Sequence, residues 1–273
     1  SLEGKESPAD VLITVDAGRL FRAKSKDLLQ AFDSPMIDSI VPSHLRDEDQ
    51  QWVSLTKRAR VIAYAKDRVD STQLSTYNNL TSDEWSDKIL VRSSSNIYNQ
   101  SLLASIIANQ GKEFAENWAR GIVENMARSP KGNDRDQIKA VANNEGDLAI
   151  VNTYYIGKLL NSKDEDEVKA GESVSIFFPN QEATGTHVNV SGIGVAKHAP
   201  NKENAIQFIE FLLQEKAQNI FAGSNYEYPV NPNVEPADIL KSWGDFKEDE
   251  LSLNELGKNN KEAVIIFDKV GWK

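Results

Sequence analysis

The chain has 273 residues, more than one hydrophobic core usually supports, so two lobes are expected. Its 31 basic and 41 acidic residues leave a net charge of −10. That argues against nucleic acid, whose binders carry a basic patch, and against an anionic membrane surface, while an acidic field attracts cations loosely. Cysteine is absent, which excludes thiolate zinc sites, disulfides and cysteine nucleophiles and is compatible with an oxidising compartment.

The histidines, His44, His187 and His198, are far apart and form no metal-ligand spacing such as HExxH, so His187 and His198 read as structural or surface residues. No apolar run approaches the ~20 residues of a membrane span. The opening Ser1-Leu-Glu-Gly-Lys-Glu-Ser-Pro8 does not read as a signal segment, and the expectation is that a leader has been removed or that the chain is a fragment.

Ala9-Asp-Val-Leu-Ile-Thr-Val-Asp16 reads as a buried strand, short and β-branched, followed by a helix from Ala17 to Phe32. Pro35 and Pro42 mark a loop, and Arg46 to Gln51 is a solvated charged stretch. A second strand, Arg60-Val-Ile-Ala-Tyr64, lies within Trp52 to Tyr64. Leu74 to Leu80 reads as loop or short helix, and Thr81-Ser-Asp-Glu84 has the form of a capping box. After the short strand Lys88-Ile-Leu-Val91, Ser93-Ser-Ser-Asn96 offers N-cap residues to a helix that Asn109-Gln-Gly111 closes. Phe114, Trp118, Ile122 and Met126 have near-helical spacing, and Arg135 to Asn143 is a shorter helix.

The strand Leu148-Ala-Ile-Val151 then leads into Asn152-Thr-Tyr-Tyr-Ile-Gly157. This places Tyr154 and Tyr155 at a strand-to-helix corner, where α/β proteins put ligand-binding side chains. Two phenol oxygens there, joined by a third, make a hard anionic site suited to a trivalent cation, by extension of the ligand-softness rule. The alternative is a pair of aromatic core residues. Further on, Lys163 to Val168 is a charged loop or helix turn and Val174 to Phe178 a strand ended by Pro179. Thr186 to Val195 alternates as a strand crossing Gly192 and Gly194. Lys202 to Leu213 and Glu215 to Phe221 are helical, and the polar C-terminal third finishes with Val264-Ile-Ile-Phe267. Strands alternating with helices predict an α/β architecture with mostly parallel sheets.

Tyr98 falls in the first turn of the helix behind Ser93 to Asn96, where free N–H groups and the positive dipole end make a ready anion site. An ordinary capped helix with a half-buried tyrosine is the competing reading.

Five segments in order resemble the periplasmic ferric-iron-binding proteins, the substrate-binding components of bacterial iron(III) ABC transporters. They are Ala9 to Leu20, Leu55-Thr-Lys-Arg-Ala-Arg-Val61, Arg92 to Ser101, Asn152 to Gly157 and Gly185 to Gly192. The all-tyrosine branch of cyanobacteria and relatives looks closest, and the resemblance runs on to Phe267-Asp-Lys-Val-Gly-Trp272. It implies a type II two-lobed periplasmic binding protein with crossing hinge strands. The first lobe is expected from 1–58 and 183–232, the second from 59–182 and 233–273.

The resemblance further implies that Tyr98, Tyr154 and Tyr155 are Fe³⁺ ligands, with carbonate or another small anion completing the site. Arg58, Arg60, Ser94, Ser95 and Asn96 are weaker candidates to face that anion. Lys158, one turn beyond the pair, would balance phenolate charge. A membrane ABC permease is the implied partner, a monomer the implied state and the periplasm the implied location. Members of the family begin with an earlier strand and helix carrying a further ligand, usually tyrosine or histidine. No such segment precedes Ala9 here, so the N-terminal part of the first lobe is expected to be missing.

Two other readings remain at this point. One is a two-lobed receptor for a different small solute or anion, with the tyrosines stacking on it. The other is an enzyme, and the sequence offers no GxSxG elbow, P-loop or GxGxxG for it, only the solvated acidic run Asp164 to Glu167. Tyr226 and Tyr228 read as packing or hinge-lining residues.

Overall fold

The computed structural model describes residues 4–273. Its strands are β1 (Val11–Val15), β2 (Leu29–Gln30), β3 (Trp52–Ala65), β4 (Ile89–Leu90), β5 (Leu148–Asn152), β6 (Val174–Phe177), β7 (Val188–Ala196) and β8 (Tyr228–Pro229). The helices of the first half are α1 (Ala17–Ser25), α2 (Pro35–Ile40), α3 (Ile97–Gln110), α4 (Lys112–Glu124) and α5 (Asp134–Ala142). They are followed by α6 (Thr153–Leu160), α7 (Glu165–Ser173), α8 (Lys202–Leu213), α9 (Glu215–Asn225), α10 (Asp238–Lys241), α11 (Asn254–Lys258) and α12 (Asn260–Val270).

The long strand β3 organises the molecule. Its first half, Trp52 to Ala59, pairs with β7, and Thr56 and Lys57 also pair with β8. Its second half, Arg60 to Ala65, pairs with β5 on one edge and β6 on the other. One strand therefore belongs to two sheets, and the change of partners falls between Ala59 and Arg60, where Arg60 N donates to His187 O at 2.9 Å. This gives the two lobes crossing strands rather than a flexible tether.

The predicted parallel sheets are corrected here. Among the described strands only β4 and β5 pair in parallel, and β1, β2, β3, β6, β7 and β8 enter antiparallel ladders. β7 returns alongside β3 in the opposite direction, and β1 and β2 on β7 and β5, β6 and β8 on β3 each run antiparallel to their partner. Alternation of strand and helix along the chain does not report this.

Other local expectations also change. The helix from Ala17 stops at Ser25, because Asp27 takes a left-handed φ of 54° and Leu29–Gln30 hydrogen-bonds to β7 instead. Thr81 to Glu84 forms no capping box; Glu84 Oε1 accepts from Gln73 Nε2 at 2.5 Å. A real capping box occurs at Asn133, where Asp136 reciprocates at 2.6 Å.

The cores follow from strand periodicity. In the second lobe, Ile62, Leu148 and Ile150 point into a cluster with Leu103, Trp118 and Phe267. Val61, Ala63, Ala149 and Val151 point to the opposite face, against Ile138, Ile156 and Leu159. Both faces of this sheet are covered, which is why Leu148 to Val151 is apolar without alternation. The first lobe packs Leu20, Trp52, Leu55, Ile193 and Ile209. Gly192 is required there, since a Cβ would meet Leu20 Cδ1 at 2.6 Å and Val53 O at 2.8 Å.

Candidate metal centre

Two helices begin at the same place. Asn96 caps α3 from an extended conformation (φ −75°, ψ 126°), its Oδ1 accepting from Tyr98 N at 3.1 Å, so Tyr98 lies in the first turn. At α6, Asn152 ends β5 and its side chain makes no cap bond, so Tyr154 and Tyr155 lie in a first turn whose N–H groups remain open. Both helices present their positive ends to the three phenols.

The three tyrosines come together. Tyr154 Oη donates to Tyr98 Oη at 3.2 Å across 56 residues of chain. The rings of Tyr154 and Tyr155 lie 4.2 Å apart, centroid to centroid, tilted by 32°. Tyr154 is 6% exposed and its two companions are half-buried, so the cluster opens to one side. Burial pushes the Tyr154 phenol far above its ordinary range, with Tyr98 and Tyr155 adding to the shift and Arg58 opposing it. Burial also raises Tyr155, opposed by the Tyr154 hydroxyl. Ionising phenols here takes a strong cation.

Fixed cations surround the rings. The Arg58 guanidinium is 5.8 Å and Lys158 Nζ 5.1 Å from the Tyr154 centroid, and the Arg92 guanidinium is 5.7 Å from that of Tyr98. Burial lowers the Lys158 ammonium, with Glu227 opposing. Arg58 is fully buried: Nη2 donates to Ser191 Oγ at 2.5 Å and Glu227 Oε1 at 2.8 Å, while Nε and Nη1 have no partner among the described residues. Those two nitrogens suit an anion. Thr56 Oγ1 donates to the other Glu227 oxygen.

The remaining candidates divide. Arg60 is engaged in the protein: Nη1 donates to Asp134 Oδ2 at 2.7 Å and Asn152 Oδ1 at 3.2 Å, and Nη2 to Asn99 Oδ1 at 2.7 Å. Ser94 N donates to Lys273 O, Ser95 Oγ shares a hydrogen bond with Ser93, and Asn96 is spent on its cap. None of these three hydrogen-bonds a phenol among the described residues. His187 is buried, its Nε2 without a partner among the described residues, and is held well down, to about 3, by burial and the nearby Arg60. His198 is exposed. Tyr226 packs at Gly157, beside Lys158, and Tyr228 edges onto Phe246.

Sequence reasoning missed Asn99, Asp134 and Glu227, which hold these side chains. Asp134 is distant in the chain from both arginines it meets and follows an ordinary helix-start pattern, so no local signal exposes it. Among the described residues no group of three or more His, Cys, Asp or Glu is placed to hold a metal, so any donor set here rests on phenols.

A two-lobed fold on crossing strands, with polar side chains converging where the lobes meet, defines a solute-binding protein. The chain belongs to the family described as bacterial extracellular solute-binding protein, which it matches over residues 6–246. It is 49% identical over 271 residues to Iron uptake protein A1 of Synechocystis, covering 99% of this chain and 75% of that one. Among solved structures it is similar to the Trichodesmium protein described as IdiA (FutA) in complex with iron and citrate ligands. That likeness has a TM-score of 0.98 and 49% identity over 100% of this chain and 86% of the other. It is likewise similar to the ferric binding protein of Campylobacter jejuni, with a TM-score of 0.94 and 45% identity over 100% of this chain and 86% of that one.

Proposed function

We propose that this chain is a periplasmic ferric-iron-binding protein that hands Fe³⁺ to an ABC-type permease, with Tyr98, Tyr154 and Tyr155 as phenolate ligands. The observation that carries this is the 3.2 Å contact between the Tyr98 and Tyr154 hydroxyls, with the Tyr155 ring tilted against that of Tyr154. Two oxygens ~2.0 Å from an octahedral ion lie roughly 2.8 Å apart, so a small movement puts both on one metal. The names of the similar proteins, two of them ferric or iron proteins and one holding iron and citrate, support the same reading.

The chemistry follows from charge. A phenol titrates near ~10 and burial raises it here, so the metal must displace the protons. Three phenolates neutralise Fe³⁺, and a neutral centre is closed between lobes without a large burial cost. With Fe²⁺ the same site carries a net negative charge, so ferrous iron binds more weakly. Arg58, whose Nε and Nη1 are buried without a partner among the described residues, would pair with a carbonate or carboxylate co-ligand, and Lys158 would offset phenolate charge. The lobes are taken as 1–58 with 183–232 and 59–182 with 233–273; the switch of β3 between sheets at Ala59–Arg60 supports the first boundary, whereas Leu253 and Leu256 pack into the first-lobe core. Hinge closure then buries the ion and presents the closed form to the permease as a monomer. The role is binding rather than catalysis.

Titration with ferric citrate, followed by the visible phenolate-to-iron charge-transfer band, tests the assignment. Tyr154→Phe and Tyr155→Phe each weaken binding and reduce the band. Unchanged colour and affinity in both variants would refute the ligand roles. The cations around the phenols also admit a receptor for an organic anion without iron; thermal stabilisation by citrate alone, with no colour on adding ferric salts, would favour that.

A further inference from the structure

We propose that Arg60 is a positioning residue for metal capture. It sets the distance between Tyr98 and the Tyr154–Tyr155 pair through Asn99 on one side and through Asp134 and Asn152 on the other. This rests on the ferric reading above.

The phenols come from two separate segments, and nothing local fixes their spacing. Arg60 joins those segments. Its Nη2 donates at 2.7 Å to Asn99, the neighbour of Tyr98 on α3. Its Nη1 donates to Asn152 at 3.2 Å, immediately before α6 and two residues from Tyr154. Asp134 locks the second contact, accepting from Arg60 at 2.7 Å and from Asn152 N at 2.8 Å. Asn99 locks the first, its Nδ2 donating to Arg92 O at 2.9 Å and Ser93 O at 3.2 Å in the turn that leads into α3. All four side chains are at most 3% exposed.

A guanidinium is suited to this because its planar fork holds several acceptors in fixed directions. Buried hydrogen-bonded ion clusters of this kind resist distortion, since moving one member leaves a charge without its partner. Ligand oxygens must be held within ~0.5 Å for tight chelation. Arg60 touches no phenol in this arrangement; it acts through Asn99 and Asn152.

The test is a double-mutant cycle of Asn99→Ala with Tyr98→Phe, read by ferric citrate titration and by the charge-transfer band. N99A removes the α3 acceptor while leaving the Arg60–Asp134 pair intact. N99A is expected to lower ferric affinity on the order of 10–100-fold, as lost outer-shell contacts do. It is expected to lose the same share of band intensity as Y98F. In the Y98F background it should have little further effect, because it acts through Tyr98. A structural role alone would weaken both backgrounds equally. That result, or a full band in N99A, overturns the proposal. Should N99A not fold, Arg60→Lys is read by the same titration: lysine keeps the charge opposite Asp134 but cannot also hold Asn99 and Asn152, so band and affinity should fall, and a full band at wild-type affinity overturns the proposal. A wild type that stays colourless with ferric iron overturns the ferric reading itself, and this proposal with it.

Discussion

Replacing Asp16 by asparagine tests how this fold carries a buried carboxylate. Asp16 is the N-cap of α1, held at a left-handed φ of 75° and fully buried. Its oxygens accept from Gly18 N at 2.8 Å, Ser101 Oγ at 2.8 and 2.9 Å and Asn189 Nδ2 at 2.9 Å. It thus joins α1 in the first lobe, the crossing strand β7 and α3, one turn past Tyr98. Burial pushes its pKa from 3.8 up to about 6, against the lowering influence of Ser101, Gly18 N, Arg58 and Arg19. A carboxyl moved from 3.8 to about 6 corresponds to about 3 kcal/mol, at ~1.4 kcal/mol for each tenfold change in proton affinity.

Because the folded pKa is raised, the folded state holds this proton more tightly than the unfolded chain does. The resulting stability is fully present below about pH 4 and is lost as pH rises through about 6. Urea unfolding of wild type and D16N across that window isolates the contribution, since the other titrating groups cancel in the difference. The wild-type advantage over D16N is expected to shrink by about 3 kcal/mol from roughly pH 3 to pH 8. A flat difference, or one that grows with pH, would refute the reasoning.

Three further outcomes follow from the site. Gly157→Ala places a Cβ 2.7 Å from Tyr226 Cβ, a contact that links α6 to the end of α9 across the lobes. It should cost about 1–3 kcal/mol by overpacking and enlarge the radius of gyration of the iron-loaded protein, and an unchanged melting temperature and scattering profile would contradict this. Arg58→Met strands Glu227, which is 4% exposed, and should destabilise by about 3–5 kcal/mol, much of it recovered in R58M/E227Q. Equal stability of the single and double variants in urea would show that the pair is not coupled. Ferric affinity should fall steeply as pH drops, because burial raises Tyr154 and Tyr155 and each must lose a proton on binding. Competition titrations against citrate at several pH values, with proton release recorded, check this; pH-independent affinity would exclude phenolate ligation.

Much of what the chain does locally was legible from residues alone. The helix behind Asn96 starts where its cap predicts, and Gly111 ends it with a positive φ of 86°. The strand Leu148–Asn152 runs straight into a helix carrying the tyrosine pair, because a short apolar run and the residues after it decide that corner among themselves. The resemblance carried by ordered motifs extended this to fold and candidate ligands. Composition misled in one respect: a net charge of −10 describes the whole surface, whereas the phenols are ringed by Arg58, Arg92 and Lys158.

Tertiary structure alone decided the rest. Antiparallel pairing and its register depend on partners far away in the chain, such as Ala59 with Val188. The convergence of Tyr98 on Tyr154, and the ties from Arg60 to Asn99, Asp134 and Asn152, span 39 to 92 residues of chain. Caps, turns and hydrophobic periods act over a few residues and are written in neighbours. A buried ion cluster is written only in the packing that removes water from it, so its members look like ordinary polar residues until the lobes are built.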